Sequence, residues 1–275
     1  MRQLRSAAAT LLCIQLITCG RFADAIVVRH DVSDSKYRVA PNIFPPLVAL
    51  PGEGQGTLIS PDWVISAAHV VTGRQIHEIS ICGKPRQVSE VIIHPDYRPA
   101  PESLQSGAAQ PLMDFMNQSA DVALIRLTKP VRDVKPVILY RATDEAEKIA
   151  EILGRGATGN GLVGEYKNSP HAGHLRRAYS RVISAEGRWL KLRFDQPPKT
   201  LPLEGMPADG DSGGPILIRV GDSLELAGLV SHKFASGPVK DFKCCSYGQV
   251  TYQSRISYYL PWIASKTGIP ASMAK

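Results

Sequence analysis

One serine in this chain sits where it could act as a nucleophile. Gly210-Asp211-Ser212-Gly213-Gly214-Pro215 places Ser212 on a tight, glycine-rich turn. A serine hydroxyl attacks a carbonyl only when it is exposed, aimed and paired with a base. The flanking glycines permit a backbone that turns the N–H groups of Gly210 and Ser212 toward one point, as stabilisation of an oxyanion requires. Such chemistry needs a base and a carboxylate to orient it. Trp63-Val64-Ile65-Ser66-Ala67-Ala68-His69 is an apolar, strand-like run that ends in a histidine. Asp121 opens a second run in which Val122, Leu124 and Ile125 are apolar. The chain order is therefore His69, Asp121, Ser212. His30, His77, His94, His171 and His174 have no comparable context, and His171-Ala172-Gly173-His174 has no apparent third ligand, so no metal site is expected.

That order differs from the Asp-His-Ser order of subtilisins and the Ser-Asp-His order of α/β-hydrolases. Ser66-Ala67-Ala68-His69, Asp121-Val122-Ala123-Leu124 and the Gly210–Pro215 hexapeptide carry a resemblance to the trypsin/chymotrypsin family of serine endopeptidases. Gly56-Thr57-Leu58-Ile59-Ser60, His94-Pro95-Asp96-Tyr97, Gly154-Arg155-Gly156 and Gly228-Leu229-Val230-Ser231 match more weakly. The resemblance runs from Ile26 to the C-terminus. It implies Ser212 as nucleophile, His69 as base, Asp121 as the orienting carboxylate, and Gly210 and Ser212 as the oxyanion hole. It also implies that a new Ile26 α-ammonium pairs with Asp211. The primary pocket falls on Met206, six residues before Ser212, with Asp209 at its rim and Ser231, His232 and Lys233 on the opposing wall. Met206 stands where cleavage after Arg or Lys needs an acid. A small or apolar preference is expected first, and an acidic one second, through Lys233. The implied partners are protein or peptide substrates, with no cofactor and a monomeric enzyme. Two other readings share the pattern: a catalytically silent trypsin-like binding protein, and an esterase with the same triad.

The elements that must hold these residues read as strands. Leu47–Leu50, Trp63–Ala67, Ile79–Cys82, Val88–Ile93, Val122–Leu127, Ile149–Leu153, Ala178–Ser184, Trp189–Phe194, Pro215–Val220 and Leu224–Val230 are short apolar or alternating runs between turn signals, an all-β pattern. The resemblance makes them two six-stranded antiparallel β-barrels with the active site in the cleft between them. Barrel one spans 26–130, barrel two 131–255, and a short C-terminal helix 256–268, followed by a 269–275 tail. Thr128–Tyr140 is the connector. Ile256–Thr267 is the helical segment, packing Tyr259, Leu260 and Ile263 on the second barrel, with Pro261 an awkward interior residue. From Tyr97 to Asp121 the chain passes Pro99, Pro101 and Pro111 without a strand pattern. This long loop is expected to overhang the cleft.

Arg2 and Arg5, the apolar stretch Ala7–Thr18 and Ala23-Asp24-Ala25 read as a cleaved secretory signal over residues 1–25. The expected location is secreted or periplasmic, without a stable membrane anchor. Cleavage would expose Ile26-Val27, so secretion itself would supply the N-terminus that the resemblance calls for. It would also remove three arginines and one aspartate, taking 32 basic and 25 acidic residues to 29 and 24, a net +5. That balance, with no nucleic-acid fold signature, excludes nucleic acid as an expected partner. Cys82, Cys244 and Cys245 remain, so at most one intramolecular bridge can form: Cys82 to either neighbour, or a vicinal pair. Animal relatives staple the histidine loop with a disulfide. Here Val70 and Gly54 stand at those positions and Ala208 replaces a cysteine beside the pocket, as in an exported bacterial member.

Overall fold

The computed structural model describes residues 26–166, 169 and 173–272. The signal segment 1–25, His171 and the last three residues lie outside the described residues. Strands Leu47–Ala49, Gln55–Ser60, Trp63–Ser66, Ala123–Leu127, Lys84–Ile93 and Glu78–Ile81 close, in that spatial order, into one antiparallel barrel. Pro215–Val220, Ile149–Gly154, Arg176–Glu186, Trp189–Arg193, Val250–Arg255 and Ser223–Lys233 form the second, which closes where the first and last of these pair. The two six-stranded barrels expected from the resemblance are present.

Some strands are buried nearly throughout, as Trp63–Ser66 is, and others alternate. In Arg176–Glu186, residues 176, 178, 180 and 182 are buried and their neighbours face outward. Val48, Leu58, Val64, Ile79, Ile81 and Ile125 fill the first barrel. Ala150, Ile152, Val182, Leu190, Ile216 and Val230 fill the second. Each such Leu, Ile or Val contributes roughly 1.5–3 kcal/mol when fully buried.

The strand Ile26–Val28 joins neither barrel. It pairs in parallel with Thr158–Asn160 and antiparallel with Gly205–Met206. Sequence reading counted this segment with barrel one, whose strands in fact begin at Leu47. The connector then delivers Ile138–Leu139 to the edge of the Ser223–Lys233 strand.

Among the described residues there are three α-helices: α1 (Ala68–Val71), α2 (Ala109–Gln118) and α3 (Ile256–Thr267). α3 has the expected bounds and buries Tyr259, Leu260 and Ile263. Its packing differs from expectation. These side chains join a cluster with Trp63, Val122 and Leu124 from the first barrel and Leu153, Leu217 and Leu229 from the second. The helix thus fastens both barrels together, and Tyr259 and Trp262 both meet His94. α2 was not foreseen. Three prolines made its segment read as irregular, yet Pro111 is the third helical residue, where no intrahelical acceptor waits for its missing N–H.

Candidate active site

His69 and Asp121 meet because adjoining strands end side by side. Trp63–Ser66 pairs with Ala123–Leu127 so that Ser66 lies opposite Ala123. Asp121, just before the second strand, therefore faces α1, just after the first. His69 Nδ1 lies 2.7 Å from Asp121 Oδ2, and the His69 backbone N–H donates to Asp121 Oδ1 at 2.9 Å. Ser231 Oγ donates to Asp121 Oδ2 at 2.5 Å. Ser231 is the extra residue of a β-bulge between Val230 and His232, which turns its side chain toward the carboxylate. Burial alone would raise the Asp121 pKa, but the imidazole's charge and these donors hold it at about 2. Burial alone would lower His69; the adjacent carboxylate outweighs it and leaves the imidazole above its ordinary 6.5. The ring keeps its outer edge in solvent, with 36% of the side chain exposed.

The Ser212 turn docks onto the same segment. Gln55 N–H donates to Ser212 O at 2.8 Å, and Gly213 N–H donates to Val230 O at 2.8 Å. Gly213 has φ +72°, and a Cβ there would stand 2.3 Å from Gln55 O and from Ser66 Oγ. Only glycine allows that approach, which seats Ser212 beside the strand leading to His69. No hydrogen bond closes between His69 and Ser212 in this unliganded geometry, where such contacts are often loose. Gly210 has φ +85°. Among the described residues, neither its N–H nor that of Ser212 has a protein acceptor, which leaves two donors for an incoming oxyanion.

Asp211 anchors the turn from beneath and is fully buried. Gly156 N–H and Gln55 Nε2 donate to its Oδ1 at 2.7 and 3.1 Å, and Ala208 N–H donates to its Oδ2 at 3.0 Å. Burial pushes its pKa up to about 6 against those donors and the charge of Lys233. Among the described residues Ile26 gives Asp211 no hydrogen bond. Ile26 sits opposite Thr158, two residues along the chain from Gly156, and its φ of +63° is unusual for a β-branched residue. Gln55 escaped sequence reasoning, since no local signal marks its amide. The Gly154-Arg155-Gly156 match did point here: a Cβ on Gly154 would stand 2.1 Å from Asp211 Oδ1.

The primary-pocket residues separate into two groups. Asp209, Ser231, His232 and Lys233 line a cavity of about 240 Å³ beside Ser212, with Ala208, Val230 and the α2 side chains Leu112, Met113 and Met116. Met206 is not among its lining residues. It is buried behind, packed with Val27, Phe194 and Cys245. Lys233 Nζ pairs with Asp209 at the rim. His232 stacks on Tyr252 and meets the edge of Trp189. Burial drives its pKa down to about 4, despite Asp121, so it stays neutral. Gly54 faces Val70, where a Cβ would touch the valine, so these two positions are neighbours without a bridge. Cys244 and Cys245 form the vicinal contact and Cys82 stands apart, exposed. The Cys244 and Cys245 sulfurs lie near the Glu165 carboxylate, a grouping that could bind a metal only with both cysteines reduced to thiolates.

Two barrels with a serine, a histidine and an aspartate where they adjoin define the chymotrypsin-like class of serine proteases. The Trypsin family model matches residues 35–263, and the chain belongs to that family. It is similar to a trypsin of Saccharopolyspora erythraea, 26% identical over 183 residues, covering 60% of this chain and 70% of the relative. It is also similar to a tryptase of Mus musculus, 26% identical over 238 residues and covering 76% of each. No helix among the described residues is long and apolar enough to cross a membrane.

Proposed function

We propose that this protein is a secreted endopeptidase that cleaves peptide bonds through an acyl-enzyme on Ser212. The carrying observation is the Asp121 carboxylate, which receives the His69 backbone N–H, the His69 ring and Ser231 together. Ser212 Oγ attacks the scissile carbonyl. His69 Nε2 accepts its proton and returns it to the leaving amine. Asp121 holds the proton on Nδ1 and stabilises the imidazolium. The N–H groups of Gly210 and Ser212 receive the oxyanion, and losing one such donor costs roughly 3–4 kcal/mol of transition-state stabilisation. Protein and peptide substrates follow from the family.

The primary pocket suits a small or apolar side chain. Leu112, Met113, Met116, Pro207, Ala208, Val230, Ala235, Val239 and Phe242 give it a largely apolar wall, and Lys233 already has its counter-charge in Asp209. Cleavage before Ile26 would supply the activating N-terminus. An α-ammonium there would begin opposite Thr158, two residues along the chain from Gly156, whose N–H donates to the buried Asp211 carboxylate. The left-handed backbone at Ile26 costs of order 1–3 kcal/mol while a residue precedes it, and a free N-terminus removes that cost.

The test is a cleavage-site survey on an unbiased peptide mixture, with Ser212→Ala beside the wild type. Cuts after small or apolar residues that vanish in the variant support the reading. Identical product patterns reject it. N-terminal sequencing of the secreted protein adds a second check, because any start other than Ile26 removes the activation step.

A further inference from the structure

α2 crosses the cleft and is clamped to the second barrel at both ends. At its N-terminal end Ala109 N–H donates to Gly237 O, and Val239 N–H donates to Gly107 O, each at 2.8 Å. At its other end Trp189 Nε1 donates to Asn117 O at 2.9 Å, and Arg188 Nη1 donates to Gln118 O at 2.7 Å. Its middle is seated by Met113, whose Sδ accepts from Ala235 N–H at 3.3 Å, and Ala109, Met113 and Ala235 are all buried. The helix therefore lies over Ala235–Val239, the stretch that follows the pocket-wall residues Ser231–Lys233.

Among the described residues, two cavities lie on this side. One is the pocket of about 240 Å³ beside Ser212. The other, of about 220 Å³, lies between His69, Tyr97, Trp189 and His232. Met116 forms a wall of both. Each is smaller than the ~300 Å³ at which sites for drug-sized ligands begin. Gln55, whose backbone N–H donates to Ser212 O, lines a different cavity, of which Ser212 is not a wall. That cavity, of about 500 Å³, opens between Phe44, Leu47, Gln55, Cys82 and Arg155.

We propose that α2 ends the acyl side of the cleft after two residues, which narrows the endopeptidase reading above to cleavage that removes short N-terminal pieces from polypeptides. The leaving chain is long and the acyl piece is short. This rests on the acyl-enzyme reading above. An extended strand advances ~3.3 Å per residue, so a third or fourth residue N-terminal to the cut would have to enter the space that Met113 and Met116 fill.

A nested peptide series tests it on the wild-type protein. All members share the scissile bond, the two residues before it and the leaving sequence, and differ only in added N-terminal residues. Specificity constants are normalised to Ser212 sites labelled by a fluorophosphonate. The expected result is a drop of roughly 10–100-fold once residues are added beyond the second, the scale of undoing one or two clamping hydrogen bonds. Equal or rising constants along the series overturn the proposal. Absence of labelling at Ser212 instead rejects the catalytic reading, so the two failures are distinct. Ala109→Pro supplies a variant. Proline is accepted at the first helical position after the extended Ala108, yet it cannot donate to Gly237 O. It should raise cleavage of the longer peptides roughly 3–10-fold relative to the shortest, and an unchanged ratio counts against the clamp.

Discussion

Asp211 gives the sharpest prediction about activation. In the arrangement seen here its carboxyl is pushed from 3.8 up to about 6, a shift worth about 3 kcal/mol. The sign follows from linkage. A carboxyl with a raised folded pKa binds its proton more tightly in the native state. The folded protein is therefore penalised in full above about 6, and the penalty fades as pH falls toward 3.8. An Ile26 α-ammonium at Asp211 would reverse the shift. The perturbation is retention of Ala25, or acetylation of Ile26, compared with a protein that begins at Ile26. At neutral pH the blocked form should be less stable by about 3 kcal/mol, which for a chain of this size lowers Tm by roughly 6–12 °C. The gap should close in acid, where Asp211 is protonated in both forms. Calorimetric unfolding across the acid-to-neutral range measures it. A Tm difference that is absent at neutral pH, or that persists unchanged in acid, refutes the ion pair as the activating contact.

Other expectations follow from the same geometry. Asp121→Asn should reduce kcat/KM by roughly 10⁴-fold with little change in fold, because an amide donor facing His69 forces the wrong tautomer; steady-state kinetics with circular dichroism check both halves. The acid limb of kcat/KM should have its midpoint above 6.5, since Asp121 raises His69 and only neutral His69 can accept a proton; a midpoint well below 6.5 would show that the pair is uncoupled. Asp121, held at about 2, adds about 2.5 kcal/mol of stability that is complete above 3.8 and lost as pH falls through 2. Acid unfolding of wild type against Asp121→Asn reads that loss. Gly154→Ala should abolish activity by displacing the Asp211 carboxylate, seen as loss of fluorophosphonate labelling. Glu145→Leu should cost roughly 3–5 kcal/mol in denaturant unfolding, because Arg255 loses the carboxylate it grips through Nε and Nη2.

Most of the barrel strands were legible as short apolar runs whose ends carry turn residues; several, such as Gln55–Ser60 and Trp63–Ser66, are buried nearly throughout, and Arg176–Glu186 alternates. Pro215–Val220 has the bounds its sequence suggests, and Trp189–Arg193 differs by one residue. The neighbourhood of His69, Asp121 and Ser212 was legible too, because Gly213 and the run into His69 have local requirements that leave a mark in sequence. Residues whose role depends on distant partners left none. Gln55 is a glutamine in a strand until the fold sets its amide against Asp211. Met206 reads as the pocket base by position, but pairing of its strand with Ile26–Val28 turns it inward. α2 is weakly patterned, and its stability comes from clamps to Gly237, Ala235 and Trp189 on the other barrel. Tertiary contacts, rather than propensity, made it a helix.

The central claim is that His69 and Asp121 make Ser212 a nucleophile, and it can be tested on the intact protein. The measurement is the rate at which a fluorophosphonate labels the protein, with the modified residue located by peptide mass spectrometry. The account predicts one adduct, on Ser212, formed at a rate that rises with pH as His69 loses its proton and that collapses in His69→Ala. An adduct on another residue, or labelling of Ser212 that is indifferent to His69, would contradict it.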